Sequence, residues 1–153
     1  MCSGPKNFTR IEKNVSLSYN TLAGICAKDF STIVVSNNFI SENFAQGILL
    51  IETTYAHIEK NMIQRNYKAN IAFGGMNACD TVIINNEIKE GRQEGIFMIT
   101  VGFCWIIKNK IVDNSDGIVM FDASPNISLN SIQENQRSGI TCCGCSYPKI
   151  ENN

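Results

Sequence analysis

A Gly-Ile or Asn-Ile pair recurs along this chain at Gly24-Ile25, Gly47-Ile48, Asn70-Ile71, Gly95-Ile96, Gly117-Ile118 and Gly139-Ile140. The steps between pairs are 23, 23, 25, 22 and 22 residues. A period of this size marks a solenoid, in which each repeat is one structural unit stacked on the last. The unit reads I-x-x-N-x-I-x-x-N-x-x-x-G-I. Its third copy is Ile58, Asn61, Ile63, Asn66, Asn70 and Ile71, and its sixth is Ile127, Asn130, Ile132, Asn135, Gly139 and Ile140. Ile and Val favour pleated strands, whereas Asn and Gly favour turns. Each unit therefore offers short strands joined by sharp corners. One unit cannot bury its own Ile residues; stacked units can, by aligning equivalent strands into parallel sheets about 4.8 Å apart. The expected fold is all-β, a right-handed parallel β-helix of about six coils of ~23 residues, the hand following the rule for parallel crossovers.

Columns of equivalent residues fit this stack. One holds Leu17, Ile40, Ile63, Ile88, Ile111 and Ile132; another holds the Ile after each Gly slot; a third holds Ala27, Leu50, Phe73, Met98, Met120 and Cys142. All are apolar, as an inward face requires. Two Asn columns, one from Asn38 to Asn130 and one from Asn20 to Asn135, are expected to form amide ladders that hydrogen-bond from coil to coil. The first copy carries Val15 where the first Asn should stand. The fourth carries Gly91 in the second Asn slot, which reads as a substitution between two residues suited to left-handed backbone. The reading divides the chain into an N-terminal lead-in, 1–10, and repeats over 11–153. With no helix to cover either open end, the chain is expected to be part of a longer polypeptide or to dock at its ends.

The net charge of −1 comes with no basic block, which argues against nucleic-acid binding. No run of 18 apolar residues is present to span a membrane. The seven cysteines and the absence of a secretory signal point to a reducing compartment, cytoplasm or nucleus. Cys142, Cys143 and Cys145 lie close together, but a zinc site needs four ligands and the single histidine, His57, is far away in the chain. No metal and no cofactor is expected. His57 reads as a solvent-side corner residue, and Trp105 and Phe103 as core or corner packing.

Two surfaces carry the functional expectations. The first is the row one residue beyond each Gly-slot Ile, where alternation points side chains outward. Its middle members are Leu49, Ala72, Phe97 and Val119, all apolar, with Ile51, Ile99 and Phe121 positioned to extend the row. An exposed apolar row of this kind marks a contact surface for a protein partner. The second is the pair Asp29 and Glu52, equivalent residues of adjacent coils. Carboxylates on one outer face are what carbohydrate binding or cleavage on a β-helix would use. Another column, Glu42, Arg65, Glu90, Asp113 and Glu134, reads as a solvated charge ladder. No residue is assigned to catalysis.

The segment Asn85-Asn86-Glu87-Ile88-Lys89-Glu90-Gly91-Arg92-Gln93-Glu94-Gly95-Ile96 resembles the right-handed β-helix repeats shared by carbohydrate-binding proteins and sugar hydrolases. It is most similar to the β-helix of the F-box-only ubiquitin-ligase receptors. That resemblance implies a β-helix that recruits a protein substrate. No F-box or zinc-finger segment is visible in these residues, so ligase activity is not implied. The expected function is a non-enzymatic protein-interaction module, serving substrate recruitment or a scaffold. The alternatives are a polysaccharide-binding or polysaccharide-cleaving domain and a structural rod in a large assembly.

Overall fold

A computed structural model of the chain describes residues 8–14, 16–53, 55–75 and 80–153. Its strands, β1 to β19 in chain order, fall into three sheets visited in strict rotation. The first sheet contains β1 (Phe8–Glu12), β4 (Thr32–Ser36), β7 (Tyr55–Glu59), β10 (Thr81–Ile84), β13 (Cys104–Ile107), β16 (Asn126–Ser128) and β19 (Lys149–Glu151). The second contains β2 (Leu17–Ser18), β5 (Phe39–Ser41), β8 (Met62–Gln64), β11 (Glu87–Lys89), β14 (Lys110–Val112) and β17 (Ser131–Gln133). The third contains β3 (Ile25–Ala27), β6 (Ile48–Ile51), β9 (Ile71–Gly74), β12 (Glu94–Ile99), β15 (Asp116–Phe121) and β18 (Ile140–Cys143). Every strand pairs in parallel with its equivalent one coil away, as in Ile48↔Ile71 and Ile71↔Ile96. The described residues contain no helix, and β19 begins a seventh coil over the sixth. The architecture is the expected all-β parallel solenoid of about six coils. The first strand takes Phe8, Thr9 and Arg10, residues of the expected lead-in, into the first sheet.

The core is a triangular stack of apolar columns. Ile40, Ile63, Ile88 and Ile111 form the column of the second sheet; Ile48, Ile71, Ile96 and Ile118 form that of the third; Val35, Ile58, Ile83, Ile106 and Ile127 form that of the first, all 0% exposed. A buried Ile contributes about 1.5–3 kcal/mol relative to an exposed one, so each coil adds several kcal/mol as it stacks. This burial offsets the cost of three tight corners per coil.

Each corner places at least one residue in the left-handed region, and Phe30 and Asp80 are additional ones at the third corner. The first column of such residues is Lys13, Asn37, Lys60, Asn85, Lys108, Leu129 and Asn152; the second is Tyr19, Glu42, Arg65, Glu90, Asp113 and Glu134; the third is Asp29, Glu52, Gly75, Thr100, Asp122 and Gly144. At the first two corners the left-handed residue immediately precedes the ladder Asn, except that Glu90 precedes Gly91. The repeat's Asn residues are therefore selected for their amides, and the strained φ falls on neighbours of mixed type at about 1–2 kcal/mol each. Gly91 is absent from the positive-φ residues, so the expectation that it substitutes for Asn as a left-handed residue is overturned.

The first ladder runs unbroken through Asn14, Asn38, Asn61, Asn86, Asn109, Asn130 and Asn153, each Nδ2 donating to the next Oδ1 over 2.8–3.0 Å. Asn14 fills the first rung, so the first copy is not degenerate; Val15 lies outside the described residues. Each inner amide also donates to a carbonyl of the preceding coil, as Asn61 does to Val35 at 2.9 Å.

The second ladder contains an exchange. In regular coils the Gly slot must be small, because the ladder amide of the following coil occupies the space. A Cβ on Gly47 would stand 2.7 Å from Asn66 Nδ2, and one on Gly24 2.7 Å from Asn43 Nδ2. At Asn70 the following coil offers Gly91, which has no amide. The Asn70 side chain enters that space and supplies the missing rung: Asn66 donates to Asn70 at 2.8 Å, and Asn70 donates to Asn114 at 2.9 Å. The two departures from the repeat, Asn in a Gly slot and Gly in an Asn slot, are one compensated event.

Candidate functional site

The expected interaction row is assembled on the outer face of the third sheet. Leu49, Ala72, Phe97 and Val119 stand side by side in register on β6, β9, β12 and β15. Their exposure alternates with size. Leu49 and Phe97 are half-buried, whereas Ala72 and Val119 are 5% and 7% exposed between larger neighbours. Two residues along the same strands lies a parallel row of Ile51, Gly74, Ile99 and Phe121. Its large members are 39%, 46% and 38% exposed, and Phe121 packs its ring 6.1 Å from that of Phe97.

The third coil contributes only Ala72 and Gly74 to these rows. The result is a notch of about 310 Å³ with those two residues as its floor, Leu49 and Ile51 as one wall, and Phe97 and Ile99 as the other. Gly74 is required, since a Cβ there would strike the Ile99 carbonyl and come within 2.7 Å of Ile99 Cγ2. At the notch edge the Glu52 side chain lies over Gly75, where a Cβ would meet Glu52 Cδ at 2.6 Å. Chemically the notch offers an open, apolar slot for an apolar side chain.

Asp29 and Glu52 occupy adjacent rungs of the third corner, both with left-handed backbone, joined by the Phe30 N–H donating to the Glu52 carbonyl at 2.7 Å. Asp122 lies three coils along the same column, and its carboxylate accepts the Cys145 N–H at 2.8 Å. Glu52 thus borders the notch through Gly75, Asp29 stands one coil further out, and both stay apart from Asp122.

Several residues sit elsewhere than the sequence suggests. His57 is not at a corner: it lies mid-strand on β7, on the outer face of the first sheet, between Tyr55 and Glu59 at 3.4 Å each. Trp105 is not core. It points outward from β13 beside Val82, and with Ile84 and Ile107 makes a half-buried apolar patch on the first sheet. Phe103 is 70% exposed. Reading the first sheet's alternation as closely as the third's would have revealed this patch. Burial pushes the Cys104 thiol, beneath it on the inner face, up to about 12. Among the described residues, no group of three or more His, Cys, Asp or Glu is placed to hold a metal. Cys2 and Cys79 lie outside those residues.

A second concavity, of about 360 Å³, follows the second corner. Tyr19, Glu42, Arg65 and Glu90 form one wall, and Phe44, Tyr67 and Arg92 the other. Phe44 and Tyr67 stack at 6.3 Å, and the Arg92 guanidinium lies 4.3 Å over the Tyr67 ring. Arg65 pairs with Glu90. A hydrogen bond to the Glu42 carboxylate pushes the Tyr19 hydroxyl's pKa up. The aromatic pair was legible as equivalent positions of adjacent copies, one residue past the second Asn.

The family model described as a right handed beta helix region matches residues 4–118 and 76–153. No curated protein matches the sequence, and no solved structure does. The family match spans nearly the whole chain and agrees with the three-sheet parallel stack, its inward Ile columns and its corner ladders: the chain belongs to the right-handed β-helix family.

Proposed function

We propose that this β-helix is a non-enzymatic protein-interaction module whose contact surface is the outer face of the third sheet. One observation carries the reading: Leu49 and Phe97 flank the small floor of Ala72 and Gly74, leaving an apolar slot on a surface where solvated residues would be expected. Val119 and Phe121 extend the face toward the C-terminal coils. Such a slot accepts an apolar anchor of a partner, the arrangement in which a few residues carry most of the binding energy. The resemblance of the repeat to F-box-only receptors supports substrate recruitment or scaffolding as the setting, in the cytoplasm or nucleus.

The test is a pull-down with the variant Leu49→Asp/Phe97→Asp. Both side chains are half-buried on the outside, so β-structure by circular dichroism should persist. Partner capture should fall by about a hundredfold. Capture at the wild-type level would remove this face as the site.

A second reading, binding or cleavage of a polysaccharide, draws on the position of Asp29 and Glu52 on adjacent rungs of the third corner, with Glu52 beside Gly75 at the notch edge. Titration with acidic glycans, with and without calcium, distinguishes it. Loss of glycan binding in Asp29→Asn/Glu52→Gln would favour it over the protein-binding reading.

A further inference from the structure

We infer that the outer face of the first sheet is a self-association surface, on which a second copy of the chain packs to form a dimer whose two-fold axis runs parallel to the solenoid axis. This face is separate from the third-sheet face, and the inference does not rest on that face being used.

The apolar centre of the face is the first argument. Strands β4, β7, β10 and β13 run in register, and alternation sends every second side chain outward. Val34, Val82 and Trp105 fall in one outward row; Ile84 and Ile107 fall in a second row, two residues further along the strands. All five are apolar, yet only half-buried. Phe8 and Phe103, two residues before Arg10 and Trp105, are 55% and 70% exposed. A contiguous apolar area of this kind on an outer sheet face marks a contact surface, and tryptophan is among the residue types that most often dominate one.

The charges select the occupant and its orientation. The first row begins at Arg10 and ends at Lys149, and the second begins at Glu12 and ends at Glu151. Between them His57 of the first row stands beside Glu59 of the second. The formal charges of the first row are thus all positive and those of the second all negative, so the face is its own complement. A two-fold axis parallel to the solenoid and midway between the rows reverses the strands but keeps each coil at its own level. The first row of one copy then lies over the second row of the other: Arg10 meets Glu12, Lys149 meets Glu151, His57 meets Glu59 and Trp105 meets Ile107. A two-fold axis along the strands instead lays each row on itself end over end. Arg10 would oppose Lys149 and Glu12 would oppose Glu151, like charge on like charge. Within one chain Arg10–Glu12, His57–Glu59 and Lys149–Glu151 lie at 2.9, 3.4 and 3.1 Å. In the dimer each pair joins its symmetry mate in a ring of four alternating groups. Such partly exposed pairs contribute little affinity; they fix the register, and the apolar centre supplies the energy.

The size of the face sets the strength. Its sheet has seven strands, which at strand spacing span about 29 Å. From Phe8 to Glu12 the outward positions extend about 14 Å along the strands. With the relief of the side chains, two such faces bury on the order of 1,000 Å² together, close to the lower bound for a specific interface. The dimer should accordingly be reversible, with a dissociation constant in the micromolar range.

The experiment is sedimentation equilibrium of the full chain from about 1 µM to about 1 mM, a range that detects weak complexes. The expected result is a monomer–dimer equilibrium, with the emission of Trp105, the single tryptophan, shifting to the blue as the dimer forms. Trp105→Asp/Ile107→Asp should stay monomeric throughout, with β-structure retained by circular dichroism. Lys149→Glu should weaken the dimer about tenfold, because the symmetry repeats the altered contact. Lys149→Glu/Glu151→Lys should restore it, a recovery that general damage to the fold cannot produce. Leu49→Asp/Phe97→Asp should dimerise like the wild type, so failure of this inference is distinguishable from failure of the third-sheet proposal. A monomer at the highest concentration would overturn the inference, as would a dimer indifferent to Trp105→Asp/Ile107→Asp. So would strengthening by Lys149→Glu, the signature of the two-fold along the strands, or open-ended oligomers, which report stacking at the coil ends instead.

Discussion

The two Asn ladders use the same side chain at the same kind of corner, yet one is uniform and the other is repaired. In the first, every rung from Asn14 to Asn153 is the equivalent residue of its own coil. In the second, the fourth rung is borrowed. Gly91 has no side chain to give, and Asn70 reaches across from the Gly slot of the coil before it. What is retained is a continuous chain of amide hydrogen bonds rather than a residue at a position. The reason is energetic: a buried amide without a partner costs about 1–3 kcal/mol, more than a satisfied one contributes. A ladder with a missing rung leaves such a group on Asn66, while the Asn114 side-chain oxygen keeps only the Gly91 backbone N–H.

The largest effect should come from breaking the uniform ladder in its middle. Asn61→Ala removes the acceptor for the Asn38 backbone N–H and amide, and the donor to Val35 and Asn86, in a fully buried setting. Chemical denaturation should show a loss of about 3–5 kcal/mol. A loss below about 1 kcal/mol would mean that water replaces the rung and that the ladder is not a buried network.

The repaired ladder makes a sharper demand. Gly91→Asn alone places a Cβ 2.7 Å from Asn70 Nδ2 and 2.8 Å from Asn114 Oδ1, and should cost about 2–3 kcal/mol by overpacking. Asn70→Gly alone should cost about 2 kcal/mol by orphaning the Asn66 amide and removing a donor from Asn114. The double variant Asn70→Gly/Gly91→Asn restores the regular repeat, so its stability should approach that of the wild type. A double-mutant cycle should yield a coupling of about 2 kcal/mol or more. Simple additivity would show that the two departures are independent after all.

The smallest effect separates amide rungs from charged ones. The amides do not titrate, so both ladders should persist on acidification. Glu87 is held below its usual pKa of 4.5 by the Lys89 ammonium and then by Lys110, and Glu59 by Lys60. A carboxylate whose folded pKa is depressed contributes stability above its unfolded pKa and loses it as pH falls through the folded value. Stability should therefore be flat from neutrality to about pH 5 and decline below 4.5. Each partly exposed pair should account for no more than ~1 kcal/mol. The variant Glu87→Gln should flatten part of that decline; a steep loss near pH 6 would point to a group other than these carboxylates.

Much of the candidate surface could be read in advance, and its limits are instructive. Leu49, Ala72, Phe97 and Val119 share one position of the repeat, so their adjacency follows once the period is known. Their burial does not, because Ala72 is small and its neighbours close over it. The outward direction of Trp105 required knowing where β13 begins, since a shift of one residue reverses every side chain of a strand. The corner groove combines two repeat positions on opposite sides of an inward Asn, and whether they face one another depends on the left-handed turn between them.

The sequence by itself determined the coil, its period, its inward columns and its amide ladders. These depend on residues recurring at one spacing, and stacking is the one way for short Ile-bearing segments to shelter from water. Tertiary structure alone decided that Asn70 completes the rung missing at Gly91, that a notch opens over the third coil, and that Arg92 lies over the Tyr67 ring. Each of these depends on how side chains from different coils share one volume, and that volume exists only after the coils have stacked.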